Sequence, residues 1–176
     1  MRRLILSKML FKIALDRPAW HIDSDGDKYL YRIFMGEHGD VKCYLHWFVG
    51  VDNAGHVHNH PFDGLSIILC GAYKEVMLDP HRYELLRILG KDVEPAYSVA
   101  TRRFWNRVDP DRYHRISDVK EGTWTLFFAG KSNGKGWYFV EEREVGPLKY
   151  TRAPKSGDEW WKTAHTLRQL LENDPL

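Results

Sequence analysis

Three histidines at alternate positions are the part of this sequence best suited to chemistry. His56, His58 and His60 lie in the segment GHVHNHP, and an apolar run, LSIILC, follows soon after. On an extended chain, residues i, i+2 and i+4 project from the same face, so the three imidazoles can share one space. His114 lies in a later strand-like segment, YHRIS. This pattern predicts a metal site on β-strands, because a helical site would space its ligands three or four residues apart.

Such a site is expected to bind a divalent metal ion and to remain open for chemistry. Imidazole suits Fe²⁺, Zn²⁺ and Ni²⁺, and Mn²⁺ is a further alternative. Asp63 follows the histidines and is a candidate fourth ligand, or a residue that orients a ligand histidine. We place Fe²⁺ first among the ions, because an open iron site can activate dioxygen or oxidise a bidentate substrate.

A small substrate that carries an anionic group would need a cation beside the metal. Arginine forks match carboxylate and phosphate well. The candidate cations by position are Arg102, Arg103, Arg115 and Lys131, and Tyr73, Tyr113 and Trp105 are candidates for lining the pocket. From these sets, Tyr73, Arg102 and Arg115 are the predicted catalytic residues.

The composition predicts one domain over residues 1–176. Aromatic residues make up 14% of the chain, which argues against disorder, and the net charge of +2 argues against nucleic-acid binding driven by charge. No apolar run is long enough to cross a membrane. Lys8 and Lys12 interrupt the apolar run near the N-terminus, so this segment is not expected to be a signal peptide. We therefore expect a cytoplasmic protein whose two cysteines, Cys43 and Cys70, are free thiols.

Short strand-like runs separated by turns predict an all-β sandwich or barrel over about residues 27–142. Gly71 interrupts one long run and indicates a bulge or bend at a barrel corner. Helical spacing predicts an N-terminal helix over 2–15 and a C-terminal helix over 157–172. Ser156 and Glu159 form the expected capping box of the second helix.

The chain resembles the cupin superfamily. The first cupin motif runs Gly, five residues, His-x-His, three or four residues, Glu, six residues, Gly. In one register, Gly50 and the first two histidines match, and Asp63 stands near the place of the glutamate. In a second register, the pair is His58 and His60, and Gly64 stands where the acid should be. The segment from Pro110 to His114 is similar to the end of the second cupin motif.

A narrower resemblance is to small cupin-like proteins of bacteria and phages. It rests on HNHPF, SIIL, YHRI and TWTLFFAGK, and it spans roughly residues 43–140. It implies a cupin-type jelly-roll barrel with short terminal helices. It also implies that His58, His60 and His114 are the core ligands, with His56 or Asp63 as a fourth, because the usual glutamate is missing.

The predicted function is that of a metal-dependent cupin enzyme, a non-haem iron-type oxygenase that acts on a small molecule and can form a homodimer. Two alternatives stay open. The first is a cupin module that binds or senses a ligand without catalysis. The second is a zinc- or manganese-dependent isomerase or hydrolase on the same fold.

Overall fold

Strands account for most of the regular structure of this protein. The computed structural model describes residues 2–24, 26–52, 56–120, 122–143, 147–153 and 159–174. The strands within them are β1 (Ala19–Ser24), β2 (Asp27–His38), β3 (Val41–Phe48), β4 (Val57–His58), β5 (Gly64–Cys70), β6 (Tyr73–Leu78), β7 (Tyr97–Arg102), β8 (Trp105–Val108), β9 (Tyr113–Val119), β10 (Trp124–Ala129), β11 (Tyr138–Glu141) and β12 (Lys149–Arg152). The helices are α1 (Arg2–Ala14), α2 (Pro80–Ile88) and α3 (Leu167–Asn173), with short 3₁₀ turns at Glu94–Ala96 and Trp160–Lys162.

The strands form two six-stranded sheets whose order is that of a jelly roll. The first sheet runs β1-β2-β3-β10-β5-β8 and the second runs β12-β11-β4-β9-β6-β7. If β3 to β10 are counted from one to eight, the two sheets contain strands 1-8-3-6 and 2-7-4-5, which is the double Greek key of a jelly roll. The remaining four strands extend the sheets beyond β3 and β4. The prediction of an all-β jelly-roll barrel with short terminal helices is confirmed.

The first sheet is covered on its outer face by α1 and α3. Leu45 and Trp124 are almost fully buried there, and Trp124 stacks on Trp47 with ring centroids 5.4 Å apart. Phe11 of α1 meets the edge of Trp47 at 5.3 Å. Because side chains alternate along a strand, this outer packing turns Tyr44, His46 and Phe48 of β3 toward the barrel interior.

The second sheet is covered on its outer face by α2, which fills a segment whose sequence was compatible with either a hairpin strand or a helix. Its cap is Asp79, whose side chain accepts a hydrogen bond from the backbone N–H of Arg82 at 3.0 Å. Tyr83 of α2 packs with Val57 and Leu78 in one buried cluster. Since Val57 faces outward, its neighbour His58 faces inward.

Gly71 lies between β5 in the first sheet and β6 in the second, so it is the point at which the chain changes sheets. Its φ is +86°, and a Cβ atom there would lie 2.1 Å from Thr123 Oγ1. Only glycine meets both conditions without strain. The predicted bend at a barrel corner is confirmed.

The predicted C-terminal helix over 157–172 begins too early. Ser156, its expected cap, lies outside the described residues, and Glu159 has a left-handed backbone with φ of 63°. The helix α3 instead begins after Thr166, which forms the capping box with Gln169. The side chain of Thr166 accepts from Gln169 N–H at 3.3 Å, and the side chain of Gln169 accepts from Thr166 N–H at 2.9 Å.

Among the described residues, Cys43 and Cys70 are not joined by a disulfide. The Cys70 thiol donates to the carbonyl oxygen of Gly122 at 3.2 Å. Among the described helices, none is both long and apolar enough to cross a membrane.

Candidate metal centre

Three histidines converge inside the barrel, on the second sheet. His58 lies on β4, His60 follows it by two residues, and His114 lies on β9, where it is the cross-strand partner of His58. One nitrogen of each ring lies within 4.8 Å of the other two. These are the donor atoms that Fe, Ni and Zn accept in proteins. The three residues could therefore hold one ion.

The distance between two of these nitrogens fits a shared metal ion. His60 Nε2 and His114 Nε2 lie 3.0 Å apart. Two nitrogens each about 2.1 Å from one ion would be ~3.0 Å apart at a right angle and ~3.4 Å apart at a tetrahedral angle. The observed spacing is short enough for both nitrogens to bind one ion. Without an ion, the same contact is a hydrogen bond between the rings.

A buried carboxylate that was not predicted from the sequence holds the ring of His114 in one orientation. Glu75 of β6 is 1% exposed and accepts a hydrogen bond from Nδ1 of His114. A carboxylate can only accept, so Nδ1 of His114 carries the proton and Nε2 turns its lone pair toward the other histidines. This is the arrangement in which an outer carboxylate orients a metal-binding imidazole.

Glu75 is itself held in place by two further donors. Asn106 Nδ2 donates to Glu75 Oε1 at 2.9 Å. Arg102 Nε and Nη2 donate to Oε2 at 2.7 and 2.6 Å. Burial raises the pKa of Glu75, but the hydrogen bonds from His114, Asn106 and Arg102 outweigh it and lower the pKa to about 2. The carboxylate is therefore ionised at neutral pH.

The other two histidines are held in the neutral form that metal binding requires. Burial is the main cause that lowers the pKa of His58 to about 3. Burial also lowers the pKa of His60 well below its usual value. Nδ1 of His58 is buried and has no hydrogen-bond partner among the described residues. Neutral rings with free lone pairs are the ligand form of histidine.

His56 and Asp63, the two candidates for a fourth ligand, are not brought to this cluster. His56 is exposed and precedes β4, which begins only at Val57, so the alternation rule does not extend to it. The side chain of Asp63 is 65% exposed and pairs with Arg107 at 3.1 Å. The bend after His60 turns Asp63 outward. The carboxylate that contacts one of the three histidines is instead that of Glu75, which accepts a hydrogen bond from His114.

The three predicted catalytic residues have different positions. Tyr73 is buried and lines the cavity next to the histidines, and burial raises the pKa of its hydroxyl. Arg102 pairs with Glu75, so its guanidinium holds that carboxylate in place and does not line the cavity. Arg115 alternates with His114 along β9, so its side chain leaves the opposite face of the strand, although the residue contributes to the cavity wall.

The other predicted cations and Trp105 lie outside the cavity. Arg103 and Trp105 are exposed, and Lys131 forms an exposed ion pair with Asp40 at 3.3 Å.

Two polar residues of the first sheet face the same cavity and were not predicted as site residues. They are Arg32 of β2 and His46 of β3, which are cross-strand partners. Each interrupts an apolar strand, YLYRIFM or KCYLHWF, at a position that faces inward. The sequence signal that could have identified these two residues is a charged or polar side chain at a strand position that faces inward. The cavity between the two sheets has a volume of about 70 Å³.

Comparison with known proteins gives structural similarity only. No protein-family profile and no curated protein matches this chain. Among solved structures, Fe(II)-HppE with the alternative substrate (S)-1-HPP is 12% identical with a TM-score of 0.47, and the match covers 65% of this chain and 56% of that chain. Hydroxypropylphosphonic acid epoxidase from S. wedmorenis is 10% identical with a TM-score of 0.41, covering 65% and 55% of the two chains.

A sugar phosphate isomerase of the cupin superfamily from Silicibacter pomeroyi is 13% identical with a TM-score of 0.39. That match covers 81% of this chain and 92% of the isomerase. At these TM-scores the similarity carries no information about the reaction. The jelly-roll fold is assigned by the strand order itself.

Proposed function

We propose that this protein is a metal-dependent cupin enzyme, a non-haem iron-type oxygenase that acts on a small molecule. His58, His60 and His114 would bind the ion. The observation that carries the proposal is the convergence of three imidazoles on one point of a cavity, one of them oriented by the buried Glu75. A cluster of polar groups without such a function would be costly to bury.

The donor set fits an ion with open coordination positions. Three protein ligands leave room for substrate or water. Imidazole nitrogens suit iron, nickel and zinc, and we place iron first among these ions. When bound, an iron ion of this kind would supply oxidation of a substrate that binds beside it.

The residues around the ion would set its surroundings. Glu75 keeps the proton on Nδ1 of His114, and Arg102 and Asn106 hold Glu75 in position. Phe127 and Phe48 contribute apolar rings to the cavity wall, which limits the access of water. The hydroxyl of Tyr73 has a raised pKa because it is buried, so it stays protonated and can donate to a bound substrate.

Metal analysis of the purified protein tests this proposal. We expect about one iron per chain by elemental analysis, anomalous scattering at the triad, and dioxygen uptake in the presence of substrate. His58→Ala should lose the metal. His56→Ala is the matched control, because it removes an exposed histidine two residues away, and it should keep the metal.

Three results would contradict the proposal. Purified protein without stoichiometric metal, whose stability is unchanged by a chelator, would be a binding module and not a metalloenzyme. Stoichiometric zinc without dioxygen uptake would indicate an isomerase or hydrolase. Full metal content in His58→Ala would place the ion elsewhere.

A further inference from the structure

A row of three polar side chains crosses the first sheet opposite the histidines. Arg32 of β2 pairs in register with His46 of β3, and His46 pairs with Thr125 of β10. Residues in register on neighbouring strands project from the same face, here the interior of the barrel. We call these three residues the polar row.

Each residue of the polar row has a buried atom without a hydrogen-bond partner among the described residues. The atoms are Arg32 Nε, His46 Nε2 and Thr125 Oγ1. Most buried polar atoms in proteins are paired, and three unpaired ones side by side require an explanation. A polar ligand in the cavity could pair with Arg32 and His46, which both line it.

The charge of Arg32 shows what kind of ligand would fit. A guanidinium keeps its charge in proteins, and burying it without a counter-ion is unfavourable. Among the described residues, no carboxylate forms an ion pair with Arg32, and its guanidinium lies over the ring of Tyr44, 5.5 Å from the ring centroid. The missing partner is an anion.

The polar row faces the histidines across the cavity. Arg32, His46, His58, His60 and His114 all line it. Arg32 and His46 thus lie across the cavity from the three histidines. Since packed sheets are about 10 Å apart, a small molecule could contact both at once.

We propose that the polar row binds the carboxylate of a small substrate whose other end reaches the histidine triad. This inference rests on the proposed metal site for the role of the triad, but the anion site can be tested without metal. The planar carboxylate matches the guanidinium fork, and the unpaired Nε2 of His46 lies next to it on the cavity wall. The cavity of about 70 Å³ favours a substrate of few atoms. A phosphoryl group shares the same anionic chemistry and is separated from the carboxylate in the test.

Calorimetric titration with three probes tests the polar row. The probes are glycolate, its neutral analogue glycolamide, and inorganic phosphate, each added to chelator-treated and to metal-loaded protein at low chloride concentration. Arg32→Gln should weaken glycolate binding by roughly tenfold or more in both forms. Arg103→Gln is the matched control, since Arg103 is exposed and outside the cavity, and it should change binding by less than about twofold. Glycolamide should bind weakly and without dependence on Arg32.

A second set of measurements covers the case in which Arg32→Gln does not fold, as judged by circular dichroism. Arg32→Lys keeps the charge but loses the fork and should bind glycolate several-fold more weakly. A crystal of the wild-type protein soaked in glycolate should show the carboxylate within hydrogen-bonding distance of Arg32 and His46.

The outcomes separate this inference from the proposed function. Equal glycolate affinity in the wild type and Arg32→Gln, or only water at the polar row in the soaked crystal, would overturn the inference while leaving the metal site intact. Tighter binding of phosphate that depends on Arg32 would replace the carboxylate with a phosphoryl group. Glycolate binding that depends on Arg32 in a protein that takes up no metal would support the anion site and contradict the proposed enzyme.

Discussion

Substitution of Glu75 by glutamine removes the buried charge that orients His114. In the wild type, Oε1 accepts from His114 and Asn106, and Oε2 accepts from Arg102. Glutamine has one carbonyl oxygen and one NH₂ group, so it can satisfy either His114 and Asn106 or Arg102, but not both sides. One set of donors then faces the NH₂ group and loses its acceptor.

The expected cost is a loss of metal affinity of about 10- to 100-fold, the usual effect of removing an outer partner of a ligand histidine. That corresponds to about 1.4–2.8 kcal/mol. The unfolding free energy should also fall by about 1.5–3 kcal/mol, because hydrogen bonds to a charged group are lost. The 23% exposure of the Arg102 side chain lets water offset part of that loss.

Metal affinity is measured by competition with a chromogenic chelator, and the unfolding free energy by urea titration of the metal-free protein. Glu142→Gln is the matched control, because Glu142 accepts hydrogen bonds from Tyr83 and Tyr97, far from the triad. A folded Glu75→Gln protein with metal affinity within twofold of the wild type would refute the role assigned to Glu75.

Three further predictions concern pH, backbone conformation and the ligand set. The metal-free protein should lose stability as the pH falls from about 6.5 toward 3. The pKa of His58 is lowered to about 3 in the folded state, so the unfolded state takes up the proton first. Unfolding free energies at pH 7, 5 and 4 that do not decline would contradict this. Gly71→Ala should lower the unfolding free energy, measured in urea, by more than about 1 kcal/mol, because φ is +86° and the new Cβ meets Thr123. Gly134→Ala has a similar φ but open space around the new Cβ, so it should lower the unfolding free energy by less. Asp63→Asn should leave metal content unchanged in elemental analysis, since Asp63 points to solvent, and a loss of metal would reinstate it as a ligand.

Local patterns in the sequence were sufficient to predict the fold class and to select the three histidines. Strand-like runs with turns predicted an all-β barrel, and alternation placed His58 and His60 on one face. The same rule was wrong for His56, because the strand begins after it. The predicted C-terminal helix is too long, because the helical spacing of apolar residues continues through a segment in which Glu159 has a left-handed backbone.

The sequence by itself determined which residues could face inward, because that depends on the two-residue period of a strand. Only the tertiary structure decided which inward residues meet. Glu75 and His114 are 39 positions apart and touch because β6 and β9 are neighbours. Arg32 and Thr125 lie in one row only because their strands, β2 and β10, both pair with β3. Strand order and register join residues that are distant in the chain, and neither is encoded in local spacing. That is why the histidines were predicted, whereas the carboxylate behind them and the arginine across the cavity were not.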